Sequence, residues 1–169
     1  MRSFNFLLLL VLIGTVCFGV PAQSEEFTEP SGKYKLTLLA DWRPISYNDA
    51  VGRSRTEFVY RDRSEGLLRI TKESLGGRTL GAIVQDEEET SRMSRAGFDA
   101  STKEAFGGGP HQGMRLSFFY IESGRRMAAT YYYFGDVDSV WMLKFNGKRG
   151  SIDTIRNLTD QIARSFRAL

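Results

Sequence analysis

The chain has 169 residues, with 23 Lys and Arg against 20 Asp and Glu, one cysteine and one histidine. So near a balance of charge excludes a protein that grips nucleic acid through a strongly basic surface. A lone cysteine excludes an internal disulfide framework, and any imidazole chemistry must fall to His111.

The chain opens MRSFNFLLLLVLIGTVCFGVPAQ. Arg2 supplies a positive start, Phe6 to Val20 runs apolar without a charge, and Val20-Pro21-Ala22 offers a small-residue cleavage site. This is the layout of a secretory signal peptide over residues 1–22, cut after Ala22. The alternative is an uncleaved anchor, although the run is shorter than the ~20 residues a bilayer span needs. Val16 stands before Cys17 where a lipoprotein signal wants a small residue, so Cys17 is not read as a lipid site. Cleavage removes the only cysteine, and losing Arg2 lowers the formal charge of +3 by one. A cysteine-free exported domain must hold together by packing alone, which fits a periplasmic or extracellular bacterial protein.

Residues 23–33, QSEEFTEPSGK, read as a flexible lead-in, and 34–169 as one domain. YKLTLL, 34–39, alternates Tyr34, Leu36 and Leu38 on one side as a strand does. Trp42 follows, and Pro44 is expected to end the pairing. RTEFVYR, 55–61, and LLRITKE, 67–73, are two more strands joined by a turn. LGAIVQDEEETSRMSRA, 80–96, reads as a helix with Thr79 as N-cap and Gly97 as stop. Residues 98–106 form another strand, ended by Gly107-Gly108-Gly109-Pro110. MRLSFFYI (114–121), RMAATYYYF (126–134) and SVWMLKF (139–145) follow, and their short connections make them antiparallel neighbours. The last element is a helix over 152–167, capped by Ser151, with Ile152, Ile155, Leu158, Ile162 and Phe166 on one apolar face. Asn157-Leu158-Thr159 on that helix is a chance glycosylation sequon.

The three late strands are apolar or aromatic on both faces: Tyr131 and Tyr133 oppose Tyr132 and Phe134. A sheet with one wet face alternates cleanly, so both faces are expected to be covered. The fold class is therefore α+β: an antiparallel sheet of about six to seven strands between helices, an α/β/α sandwich.

The order of elements resembles the PsbP-like superfamily, which includes the DcrB-type bacterial envelope proteins. An export signal precedes YKLTLLADW, then come GGRTLGAIVQDEEETSRM, GGGPHQGMRLSFFY, the aromatic hairpin YYYFGDVDSVWMLKFNG and a last helix closing on Ser165-Phe166. The match covers roughly residues 34–167. A proline commonly precedes the tryptophan in that family; here Ala40-Asp41 stand there. The resemblance implies an antiparallel sheet between helices and no particular activity. Its photosystem II member is a non-enzymatic extrinsic subunit, and others resemble accessory or chaperone-like binding proteins.

Chemistry-bearing motifs are scarce. No H-E-x-x-H, C-x-x-C or G-x-S-x-G occurs. Gly107-Gly108-Gly109 precedes a strand and lacks the lysine of a phosphate loop, so it reads as turn chemistry. Asp136 and Asp138 lack the further ligands of a calcium loop and are assigned to the hairpin turn. Asp86, Glu87, Glu88 and Glu89 are adjacent on a helix, point in different directions, and read as a solvated face. One pattern does suggest a surface. In RSRTEFVYRDR, Arg53, Arg55, Arg61 and Arg63 share parity; an extended segment turns them one way, with Glu57 and Val59 between them and Phe58 and Tyr60 inward. Such a basic stripe suits a protein or an anionic envelope component as partner, and it also suits an edge strand guarded by charge.

The expectation is an exported, non-enzymatic binding protein of the bacterial envelope. It has no catalytic residues, metal or cofactor, no nucleic-acid partner, and membrane contact only through the signal segment if that is retained. Two other classes stay open: a secreted hydrolase using paired carboxylates or His111, and a carrier with an apolar cavity between sheet and helix.

Overall fold

A computed structural model describes residues 24–169. The signal segment, its cleavage point at Ala22 and Cys17 lie outside the described residues. In chain order the elements are β1 (Ser24–Thr28), β2 (Tyr34–Leu39), β3 (Trp42–Asn48), β4 (Ser54–Tyr60), β5 (Gly66–Ser74), α1 (Leu80–Ser94), β6 (Asp99–Phe106), a single 3-10 turn (Gly109–His111), β7 (Gly113–Glu122), β8 (Arg125–Gly135), β9 (Ser139–Lys148), α2 (Arg149–Ser165) and β10 (Arg167–Ala168).

The strands form two antiparallel sheets, where a single sheet was expected. Seven run in the order β3-β4-β5-β9-β8-β7-β6, and three form a small sheet, β1-β2-β10. The polar lead-in is therefore corrected: Ser24–Thr28 pairs with β2 over Leu39–Lys35, and Phe27 packs edge-on against Phe58 with ring centroids 4.9 Å apart. Pro44 does not stop its strand. β3 is an edge strand, where a missing amide donor is tolerated, and Pro44 stands opposite Phe58 within an unbroken register.

Strand alternation sends the aromatic hairpin to two separate cores. Tyr132, Phe134, Leu143 and Phe145 join β2 and the α2 residues Ile152, Ile155 and Ile162. Tyr131, Tyr133 and Met142 join Leu116, Phe118 and the α1 residues Ile83 and Val84. Burying each of the three α2 isoleucines contributes about 1.5–3 kcal/mol. Cover differs between the faces. One carries α2 and the small sheet together, while α1 lies over β7 and β8. The β3-β4-β5 end of the α1 face is thus not under that helix, so the two-helix sandwich holds only in part.

The helix ends follow local chemistry. Thr79 Oγ1 accepts from the Ala82 amide at 3.2 Å and caps α1 as expected, but the helix ends at Ser94 on an extended Arg95 cap, before Gly97 is reached. α2 begins at Arg149, and no side chain among the described residues caps it. Ser151, the expected cap, instead donates its hydroxyl to Glu65, whose other oxygen accepts from Lys148 Nζ at 2.5 Å. The start of α2 is thereby tied to the β4–β5 turn.

Candidate functional site: a notch between two diverging strands

β4 and β5 pair only where Glu57–Tyr60 faces Gly66–Arg69. β4 continues beside β3 back to Ser54, and β5 continues beside β9 out to Ser74. The sheet therefore splits, and each half is held by its own neighbour. On the β3–β4 side, the Asp49 carboxylate accepts from the Val51 and Arg53 amides and from Arg55 Nε, fixing the turn. The Arg53 amide foremost, opposed in part by desolvation and reinforced by the Val51 amide and Arg55, holds the Asp49 carboxyl below its usual range. On the β5–β9 side, the Leu75 amide donates to the Asp138 carbonyl at 2.9 Å, and Lys72 Nζ lies 3.3 Å from Asp136. Asp136 also accepts from the Val137 amide and Ser139 Oγ, the turn role expected for it.

The split opens a notch of about 490 Å³ between Ser54–Thr56 on one wall and Ile70–Glu73 on the other, with Tyr34 and Trp141 among its lining and Glu29 and Lys33 above. Tyr34 meets Trp141 edge-on with ring centroids 5.7 Å apart, and Lys72 Nζ sits 5.1 Å over the indole. Trp141 Nε1 is buried and has no hydrogen-bond partner among the described residues. Burial, assisted by the charge of Glu29, pushes the Tyr34 hydroxyl well above its ordinary range, so it stays protonated. Glu29 itself is held by the Ser31 hydroxyl and by the Ser31 and Lys33 amides.

The four arginines of the sequence pattern do not form one stripe. The strand ends at Tyr60 and Arg61 takes φ +57°, which breaks the alternation. Arg55 reaches the notch and pairs with Asp49; Arg61 pairs with Asp41 at 2.9 Å; Arg63 Nη1 lies 3.1 Å from Glu57 Oε2; Arg53 is exposed in the turn before β4. Glu57 and Val59, expected among the arginines on the outer side, are both buried. Glu57 sits where α1 gives no cover, beneath Arg69, Arg63 and Tyr47. Burial raises its pKa, but the Arg69 hydrogen bond and charge, Tyr47 and Arg63 outweigh it and hold the carboxyl below the usual range.

Other sequence candidates take structural places. The acidic run diverges around α1 as expected, but it is not all solvated. Asp86 pairs with Arg78, Glu87 with Lys144, and buried Glu88 with Lys103 and Arg92, fastening α1 to β6 and β9. His111 lines a cleft of about 230 Å³ with Asp136, Phe134, Trp141 and Phe166, and the lining carries no hydroxyl or thiol nucleophile. The space between α2 and the sheet beside Ile152 and Arg156 is also about 230 Å³, below the ~300 Å³ at which ligand pockets begin. Among the described residues no group of three His, Cys, Asp or Glu stands close enough to hold a metal ion, and no helix is long and apolar enough to cross a membrane.

The architecture is that of the PsbP-like fold. The chain superposes on cyanobacterial PsbP (CyanoP) from Synechocystis with a TM-score of 0.63, at 14% identity over 93% of this chain and 99% of that one. It also superposes on LpqN of Mycobacterium tuberculosis, involved in cell envelope biogenesis, with a TM-score of 0.58 at 14% identity over 86% of this chain and 90% of that one. The Saccharomyces cerevisiae Ran-binding protein Mog1p gives 0.60 at 9% identity, over 87% of this chain and 96% of that one. No protein-family model and no curated protein matches the sequence. At these identities the likeness is one of fold, and function rests on the chain's own surface.

Proposed function

We propose that the chain is an exported accessory protein of the bacterial envelope that binds a partner through the β4–β5 notch and carries out no reaction of its own. The observation behind this is the notch itself. Backbone edges and an aromatic floor meet there, while Arg55, Lys72 and Glu29 are each engaged in holding its walls. Groups held in this way shape a surface; a general acid or base must be free to give or take a proton. Export follows from the charged start, apolar run and small-residue site at the N-terminus. A solved neighbour that is a Ran-binding protein is in keeping with a binding role, and one involved in cell envelope biogenesis with this compartment.

The test is a photo-crosslinking residue placed at Thr71 in the full chain, expressed in its native host and fractionated. A discrete adduct in the envelope fraction is expected, and it should weaken about tenfold in the R55E/K72E double variant while the circular dichroism stays unchanged. An adduct of undiminished yield in that variant rules out the notch as the binding site.

A further inference from the structure

The notch exposes more than side chains. From Ile70 to Ser74, β5 is paired with β9 on one side and, among the described residues, with no strand on the other. In an antiparallel ladder, alternate residues direct both amide and carbonyl to the same side, so a free side presents a regular set of donors and acceptors. The two outer edges of this sheet are blunted. β3 carries Pro44, and the β6 register shifts between Asp99 and Thr102, where Ala100 takes φ +51°. The β5 register runs without interruption from Leu67 to Ser74, with no proline and no bulge. The inner edge is thus the one left able to accept another strand.

We infer that this edge is a strand-addition site. Taking the notch as the binding site, it receives an extended segment of a partner protein, with alternate apolar side chains facing the floor. The free stretch of β5 spans about 17 Å at ~3.3 Å per residue, room for a segment of about five residues. Successive side chains of such a strand point to opposite faces. Every second one meets Tyr34, Ile70 and Trp141, which favour an apolar group. The charged groups give no such selection: Lys33, Arg55 and Lys72 line the notch against Glu29 and Glu73, and Arg55 and Lys72 are themselves paired with Asp49 and Asp136. Selection therefore rests on the apolar floor. Backbone pairing supplies affinity and the alternating contacts supply selection.

The probe is an acetylated, amidated peptide of alternating valine and threonine with a glutamate at each end, about seven residues long. It is titrated into the full chain and followed by amide hydrogen exchange. Slower exchange is expected at amides within Ile70–Ser74. Two further peptides carry N-methyl groups on alternate amides, one in each frame. One of the two should lose binding by about tenfold or more and the other should retain it, because only one edge of an added strand faces β5. Equal binding by both methylated peptides overturns strand addition, since side chains alone then suffice. No binding by any peptide, together with a partner adduct at Thr71, removes the strand inference and leaves the notch as the site. No binding and no adduct removes both.

Discussion

Arg69 Nε donates to Glu57 Oε1 at 2.6 Å directly across the β4–β5 pair, and Glu57 is only 2% exposed. The Tyr47 hydroxyl donates to the same oxygen at 3.1 Å. A buried carboxylate therefore sits at the last rung before the strands part, on the end of the sheet face that α1 does not reach. Its partners hold the two strands together just where the split begins.

Glu57→Gln tests that rung. The folded carboxyl lies below its ordinary range. Its contribution to stability is therefore complete above the unfolded pKa of ~4.3 and is lost as pH falls through the lower, folded value. At pH 7 the variant should be less stable by about 1–3 kcal/mol, the cost of weakening charge-assisted bonds to a buried group. Urea melts at a series of pH values should show the difference between the two proteins shrinking as pH falls from the unfolded ~4.3 through the lower folded value, where wild type also loses the charge. A gap that stays constant on acidification contradicts this account.

The glycines before β7 give a paired prediction. Gly107 has φ +77°, and a Cβ there collides with the His111 carbonyl oxygen; a Cβ on Gly108 meets nothing within 4 Å. Backbone cannot yield as a flexible side chain does. Gly107→Ala should cost about 1–3 kcal/mol or more, whereas Gly108→Ala should leave thermal stability within about 0.5 kcal/mol. Differential scanning of the two variants separates local geometry from a general need for glycine in this loop.

Much of this fold was legible because its elements carry strong periods. β2 was readable from alternation, β7, β8 and β9 from apolar and aromatic runs between turn signals, the apolar face of α2 from helical spacing, and Thr79 from its place before Leu80. What escaped reading depended on partners. SEEFT is too polar to announce a strand and becomes one by pairing with β2 and placing Phe27 on Phe58. Pro44 looked like a stop because an edge position cannot be told from a central one before the strand order is known. Ser151 has the residue type of a cap, but Glu65 competes for its hydroxyl. The notch had no sequence signal at all. Arg55, Ile70 and Lys72 were visible singly, but the divergence that brings them to one opening comes from two turns anchored to different neighbours.

That anchoring makes the notch tunable from outside its walls. Asp49 is the turn acceptor for two amides and for Arg55 Nε. Asp49→Ala should loosen the Asn48–Ser54 turn and speed amide exchange in Ser54–Thr56, as the loss of a backbone-accepting cap does. Exchange in Ile70–Ser74 should be unaffected, because β5 is held by β9. Equal acceleration on both walls means that the halves of the sheet move as one.

On the far side of the molecule, Asp160 of α2 joins three elements. It accepts from Arg115 Nη1 at 2.6 Å and from the Tyr132 hydroxyl at 2.5 Å, while Arg115 also reaches Glu104 of β6. Arg115 is largely buried, with a side-chain exposure of 16%. Desolvation opposes its charge, but the bonds to Asp160 and Glu104 prevail and its pKa rises, so the guanidinium stays charged throughout the working range. Removing the carboxylate leaves that cation with one exposed partner. Asp160→Ala should therefore destabilise by about 1–3 kcal/mol, and Tyr132→Phe, which leaves the ion pair intact, by about 1 kcal/mol. The Asp160→Ala loss should fall when Arg115 is changed to Met in the same chain, because the stranded charge is gone. A double-mutant cycle in urea measures the coupling, and strictly additive losses would mean that the two side chains act independently.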